Sequence, residues 1–363
     1  MTTTQEAQHA ALVEALAIRG LLSPEWRKVW ERVPRDAFVP PVVWRQGAER
    51  CELVTTATEW RQLVYSDEPV VTQVDDGAID GPGVATCSNS KPSMVAGMLQ
   101  LLDVQGGDKV LEIGTGTGHV AALLSERLGD DHVVSVEIDP TLARQARERL
   151  AAAGYSPTVV TGDGEQGCRQ AAPYNRLIST CAIRHVPYEL VRQVRPGGML
   201  VTPLARDFWS GAVVQLAVQD GRASGPIRGG ASYMPMRSHR TPDGPPVQAT
   251  GRATDTGLDP RRLLNLGFAM YAGARLPGVS MIHAEKGGTV EVWLMDQTGS
   301  GACCEPDEQA WQFGERDLWR EIEKVYAEYE ALGSPSSDDF GLTVTARGQE
   351  VWLTHPGRVI VSA

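Results

Sequence analysis

Three glycines at alternate positions, Gly114, Gly116 and Gly118, follow the expected buried strand Val110-Leu111-Glu112-Ile113. Glycine suits a backbone that must turn sharply and lie against a ligand with no Cβ between them. Glu137 comes about twenty residues later, closing a second expected strand (Val133 to Val136), where a carboxylate can accept both hydroxyls of a ribose. A dinucleotide fingerprint needs G-x-G-x-x-G, and His119 occupies the place of its last glycine. Asp163-Gly164 is the next carboxylate–glycine pair. It can accept an adenine amine or form an ordinary Asp-Gly turn. Ser88 and Ser90 stand two apart just before Lys91-Pro92, a spacing that by itself describes the cap of a helix beginning at Pro92.

These residues need elements to carry them. Residues 5–19 read as an amphipathic helix ended by Gly20, and Ser23-Pro24-Glu25 opens a second helix that Val33-Pro34-Arg35 breaks. Residues 41–86 give no clear pattern apart from an acidic, glycine-rich loop around Asp75, Asp76, Asp80 and Gly81. From Pro92 onward the alternation is regular. Helices are expected at 92–102, 119–128, 140–153, near 165–170 and at 187–193, with strands at 109–113, 132–137, 158–161, 176–180 and 199–203. Such alternation means a parallel sheet covered on both faces, with ligands beyond the carboxyl ends of its strands. Gly114, Glu137, Asp163 and Thr180 all fall at those ends. Two further strands are expected at 212–219 and 230–236. A Pro/Gly/Thr-rich linker (238–259) then leads to short strands and a charged helix (315–332).

The chain has 363 residues, 42% of them hydrophobic and 22% charged, with a net charge of -11. That length suggests more than one unit, and the acidic balance argues against a nucleic-acid partner. No run of about eighteen apolar residues exists to span a membrane. The amino terminus carries no export signal, and the six scattered cysteines form no C-x-x-C pair. A reducing cytoplasm is therefore the expected setting. No His/Cys/carboxylate set has the spacing of a metal site.

The glycine loop after an acidic strand resembles the S-adenosylmethionine loop of Rossmann-like methyltransferases. The wider chain resembles the protein-L-isoaspartate O-methyltransferase family in five ordered blocks from about residue 10 to residue 236. They are Val33 to Pro40, Ser88-x-Ser90-x-Pro92-x-Met94, Val110 to Gly116, Gly162-Asp163-Gly164 and Gly197-Gly198. The resemblance implies an α/β fold with a mostly parallel, doubly wound sheet, N-terminal helices and an extra C-terminal α+β region. The units expected are residues 1–91, helical and substrate-contacting; 92–236, the methyltransferase core; and 237–363, for peptide recognition or bracing. S-adenosylmethionine is the implied cofactor, with S-adenosylhomocysteine as product. The expected contacts are Glu112, Gly114, Thr115, Gly116, Gly118, His119, Glu137, Ile138, Gly162, Asp163, Gly164 and Thr180. Ser90 matches the family's active-site serine and Ser88 the hydroxyl two residues earlier.

Departures from the short repair enzymes shape the expected substrate. Arg184 and His185, in Thr180-Cys181-Ala182-Ile183-Arg184-His185, together with Lys91, can grip an acidic peptide; a solvated loop is the alternative for the Arg-His pair. The tail, with Gly341 to Thr345 and Gln349 to Leu353, resembles methyltransferases of ribosomally made, modified peptides of the graspetide and lanthipeptide kinds. That likeness implies methylation of an aspartate in a macrocyclic peptide, whose ester collapses to aspartimide or isoaspartate. Repair of isoaspartate is the alternative. A monomer acting on a peptide is expected.

Overall fold

The computed structural model describes residues 3–47, 50–240 and 251–362. The chain divides into two compact units, one of residues 1–181, 187–202 and 217–221, the other of residues 182–186, 203–216 and 222–363.

The first unit opens with helices α1 (Thr3–Ile18) and α2 (Pro24–Arg32). Ser23 caps α2 by accepting the Trp26 N–H, Pro24 fills the first turn, and Val33 ends it. A short 3-10 turn, Arg35–Phe38, follows. The unpatterned stretch of sequence is an antiparallel sheet with strand order β2-β1-β3-β4, built from β1 (Trp44–Gln46), β2 (Cys51–Leu53), β3 (Val70–Val74) and β4 (Ala85–Asn89). Helix α3 (Ala57–Val64) lies between β2 and β3 in the chain. Strands of three to five residues carry too few alternations to register as a period. The acidic loop is present as expected, and Asp75 closes it by accepting the N–H groups of Gly83 and Val84.

The remainder of this unit alternates: α4 (Pro92–Leu102), β5 (Val110–Ile113), α5 (His119–Leu128), β6 (Val133–Glu137), α6 (Pro140–Ala152), β7 (Thr158–Thr161), β8 (Tyr174–Ser179), α7 (Tyr188–Gln193) and the first part of β9 (Val194–Arg206). Its strands run parallel in the order β7-β6-β5-β8-β9. Every residue of β5 and β6 is buried, as a sheet covered on both faces requires. The chain order reverses between β5 and β8, and a ligand crevice is expected beyond the carboxyl ends of those two strands. The expected short helix near 165–170 is two 3-10 turns, Gly164–Gln166 and Arg169–Ala171.

In the second unit, β10 (Trp209–Gln219, whose last residues belong to the first unit) and β11 (Arg222–Gly230) lie in the order β10-β11-β17-β18 with β17 (Phe340–Thr345) and β18 (Gly348–Leu353). A separate sheet has the order β12-β16-β15-β14-β13, from β12 (Arg252–Thr254), β13 (Val279–Lys286), β14 (Thr289–Asp296), β15 (Gly301–Cys304) and β16 (Ala310–Phe313). Helices α8 (Leu266–Arg275) and α9 (Leu318–Ala331) complete the unit.

The strand expected at 230–236 is displaced. β11 ends at Gly230, and the next six residues make only an isolated bridge between Pro235 and Ala182. The sequence Arg222-Ala-Ser-Gly-Pro-Ile-Arg-Gly-Gly carries no strand pattern, yet pairing with β17 holds it extended. Gly225 is needed there because a Cβ would stand 2.0 Å from the Gln215 carbonyl oxygen. Part of the expected linker, residues 241–250, lies outside the described residues, and 252–254 form β12. No helix among the described residues is long and apolar enough to cross a membrane.

Candidate active site

Strand β5 ends at Ile113 and delivers the glycine loop. Gly114, Gly116 and Gly118 have φ of 92°, 53° and 89°, a region that a Cβ disfavours. The space around Gly114 and Gly118 is equally restrictive. A Cβ on Gly114 would stand 3.1 Å from Thr180 Oγ1, and one on Gly118 3.2 Å from Leu150 Cγ in α6. A Cβ on Gly116 would meet β4, at 3.5 Å from Cys87 Sγ and 3.7 Å from the Ser88 carbonyl oxygen. The loop therefore lies directly against the strand that carries Ser88 and leads into Ser90.

Glu137, at the end of β6, accepts the Gly116 N–H on Oε2 at 2.8 Å and the Asp139 N–H on Oε1 at 3.0 Å. Asp139 in turn caps α6 by accepting from Thr141 and Leu142. Ile138, between them, is exposed. The Gly162 N–H donates to the Glu137 carbonyl oxygen at 2.9 Å and so brings the end of β7 alongside. Asp163 is exposed and accepts the Glu165 N–H, so it does form a turn, and that turn stands at a strand end beside Glu137. Thr180, just past β8, donates its hydroxyl to the Gly114 carbonyl oxygen at 2.7 Å.

Two expected contacts lie deeper. Glu112 is 0% exposed, accepts the Ser135 hydroxyl at 2.6 Å on Oε2, and has no partner on Oε1. Burial pushes its carboxyl up to about 8, and Glu137 adds to the rise. Ser135 also shares a 2.5 Å bond with Thr115 Oγ1, so the pair braces the loop from beneath. His119 is buried between Trp30, ring centroids 5.6 Å apart, and Phe38, 5.4 Å apart. Burial, helped by the charge of Arg35, lowers its imidazole to about 3, so it is neutral.

Ser88 and Ser90 are half-buried, with Asn89 buried between them. Lys91 precedes α4 near Asp67. Burial would raise the Asp67 carboxyl, but hydrogen bonds from Arg19 and Ser93 and the charge of Lys91 bring it below its ordinary value. Arg184 and His185 belong to the second unit. Arg184 is ion-paired with Asp207, and its backbone N–H donates to His239 Nδ1 at 3.0 Å. The exposed His185 ring lies 4.5 Å from that of His239.

Arg35 also belongs to this site, although no motif in the chain assigns it there. It is 1% exposed and donates to the Asn89 side chain and to backbone carbonyls on both sides of β3. Val-Pro-Arg reads as a helix break, and nothing local marks an arginine that will be buried. The alternating Ser88-Asn89-Ser90 was the one available signal, because in extended chain the middle residue faces away from its neighbours.

The loop's backbone angles, its tight walls and the Glu137 carboxylate beside it fit a cofactor that carries a ribose. Residues 7–241 match the family model of protein-L-isoaspartate(D-aspartate) O-methyltransferase (PCMT). A protein-L-isoaspartate O-methyltransferase of Ignicoccus hospitalis is 36% identical over 205 residues, covering 56% of this chain and 84% of the relative. A protein-L-isoaspartate O-methyltransferase 2 of Archaeoglobus fulgidus is 39% identical over 220 residues, covering 58% and 85%. A solved structure titled protein-L-isoaspartate O-methyltransferase is similar in fold, with a TM-score of 0.56 at 20% identity over 95% of this chain and 99% of its own. The chain belongs to the protein-L-isoaspartate(D-aspartate) O-methyltransferase family and is an S-adenosylmethionine-dependent carboxyl O-methyltransferase.

Proposed function

We propose that this enzyme methylates the free α-carboxyl of isoaspartyl residues in peptides and proteins. The observation that carries the reading is the apposition of the serine-bearing strand to the glycine loop, where a Cβ on Gly116 would stand 3.7 Å from the Ser88 carbonyl oxygen. Relatives named for isoaspartate support the choice of substrate. When bound, S-adenosylmethionine supplies a methyl group on a sulfonium centre. Gly114, Thr115 and Gly116 would hold it, with Glu137 accepting its ribose hydroxyls, Ile138 and Asp163 beside its adenine, and Thr180 bracing the loop.

A carboxylate with a pKa near 4 is already ionised at neutral pH, so the chain need not supply a general base. Its task is placement in line with the methyl in a partly dry pocket. Ser88 and Ser90 can each donate a hydroxyl hydrogen bond to one carboxylate oxygen and leave the other free to attack. Neutral hydroxyls orient that nucleophile without the stronger damping of a full positive charge.

A second reading has its own observation. Residues 242–363 lie beyond the family match and build most of the second unit, including a separate five-stranded sheet. In that reading the substrate is an aspartate in a constrained, ribosomally made peptide. Its methyl ester is attacked by the next backbone nitrogen, methanol leaves, and the net change is loss of one water. The solved structure whose fold covers 95% of this chain bears the isoaspartate title, so extra length alone does not favour this substrate.

One experiment separates them. A linear isoaspartyl peptide, its aspartyl twin and a macrocyclic aspartyl peptide are incubated with enzyme and S-adenosylmethionine and followed by mass spectrometry. Methyl gain confined to the isoaspartyl peptide is the expected result. Water loss from the macrocycle with an inert isoaspartyl peptide would replace the first reading with the second.

A further inference from the structure

Asn89 is 2% exposed and sits between the two serines. Its Oδ1 accepts the Arg35 Nε–H at 2.6 Å, and its Nδ2 donates to Thr117 Oγ1 at 2.9 Å, on the glycine loop between Gly116 and Gly118. The orientation of the amide follows from chemistry. A guanidinium offers only donors, so the amide oxygen faces Arg35 and the nitrogen must face the threonine. Arg35 Nη2 also donates to the carbonyls of Asn89 and Ser90, both at 3.0 Å. Arg35 also donates to the carbonyls of Leu63, Val64, Ser66 and Glu68 at 3.5, 3.0, 3.2 and 2.7 Å. The serine-bearing backbone is thus pinned on one side by a buried cation and tied on the other to the cofactor loop.

We propose that Asn89, anchored by Arg35, is a positioning residue that couples the glycine loop through Thr117 to the placement of Ser88 and Ser90. This rests on the reading that those serines orient the substrate carboxylate. Displacement of the loop at Thr117 is passed to the strand, because the amide has no slack at either end. Loop and serines then adopt one geometry together, and the peptide carboxylate is held correctly only when the loop is.

Thr117→Val removes the hydroxyl at nearly constant shape. Initial rates with a linear isoaspartyl peptide, calorimetric affinity for S-adenosylhomocysteine and the melting temperature are measured for each variant. Thr117→Val is expected to lower kcat and raise the peptide KM, together about tenfold in kcat/KM, with cofactor affinity within about twofold. Thr117→Ser should restore the parent values. Asn89→Asp keeps the Arg35 bond and offers Thr117 an oxygen to donate to, so it should stay near the parent. Adding Thr117→Val to it should reproduce the loss. If valine at 117 does not fold, Thr117→Ala replaces it.

Parent-like kcat and KM with only a lower melting temperature would reduce the contact to bracing and overturn the proposal. A loss of cofactor affinity as large as the loss of turnover would also overturn it, because the threonine would then serve the cofactor alone. Ser90→Ala is measured in parallel. Full turnover in Ser90→Ala would sink the serine reading itself, whatever Thr117→Val does.

Discussion

Glu137 and Gly116 are joined by a 2.8 Å hydrogen bond from the loop N–H to the carboxylate that closes the neighbouring strand. The bond links the ends of β5 and β6, so the residue expected to meet the ribose also shapes the loop. Glu137→Ala removes both functions. It is expected to weaken S-adenosylhomocysteine binding by about 1–3 kcal/mol, the cost of leaving buried polar groups unpaired. Calorimetry reads this directly, and unchanged affinity would dismiss the pocket assignment.

Glu112 makes stability depend on pH in the neutral range. Its carboxyl rises from 4.5 to about 8 in the fold, through burial first and the nearby Glu137 second. The folded chain thus keeps a proton that the unfolded chain releases, and the associated stability is complete below 4.5 and lost as pH rises towards 8. Glu112→Gln mimics the protonated form. Its stability relative to the parent should climb across that window by at most about 1.4 kcal/mol per pH unit. Urea denaturation at several pH values tests it, and a constant difference would mean that Glu112 is ionised within the fold.

His119 acts in the opposite sense. Burial, then the Arg35 charge, takes its imidazole from 6.5 to about 3. The unfolded chain binds a proton below 6.5 that the folded chain refuses, so the stability it carries is present above 6.5 and lost as pH falls towards 3. His119→Gln should shrink the loss of melting temperature on acidification relative to the parent. Parallel acid profiles for the two proteins would show that His119 is protonated between Trp30 and Phe38.

Two tryptophans of the second unit should differ. Trp319 is 0% exposed and Trp311 39% exposed. Trp319→Ala should cost about 3–5 kcal/mol by leaving a cavity. Trp311→Ala should change stability by about 0.5 kcal/mol or less, as surface changes do. Denaturant midpoints check both. If Trp311→Ala also leaves isoaspartyl peptide affinity unchanged, its exposed ring has no part in recognition.

The parallel sheet and its glycine loop were legible because their signals are local. Val110 to Ile113 is a short strand pattern interrupted only by Glu112; Gly114, Gly116 and Gly118 take positive φ; and Asp139 with Pro140 supplies the cap and first turn of α6. Ser88 and Ser90 could be singled out from a resemblance, yet the approach of the Ser88 backbone to Gly116 required the fold. Arg35 is the clearest case of what tertiary structure alone decided. A cation next to a helix-breaking proline reads as surface, and only carbonyls gathered from 63–68 and 89–90 give its guanidinium enough acceptors to be buried. β11 has no sequence signal for the same reason, since Gly225 and Pro226 follow no strand pattern until β17 supplies their partners. Periodicity and turn chemistry act between neighbours in the chain. Burial of a charge and pairing of an irregular strand depend on residues tens to more than a hundred positions away, which only the folded chain brings within reach.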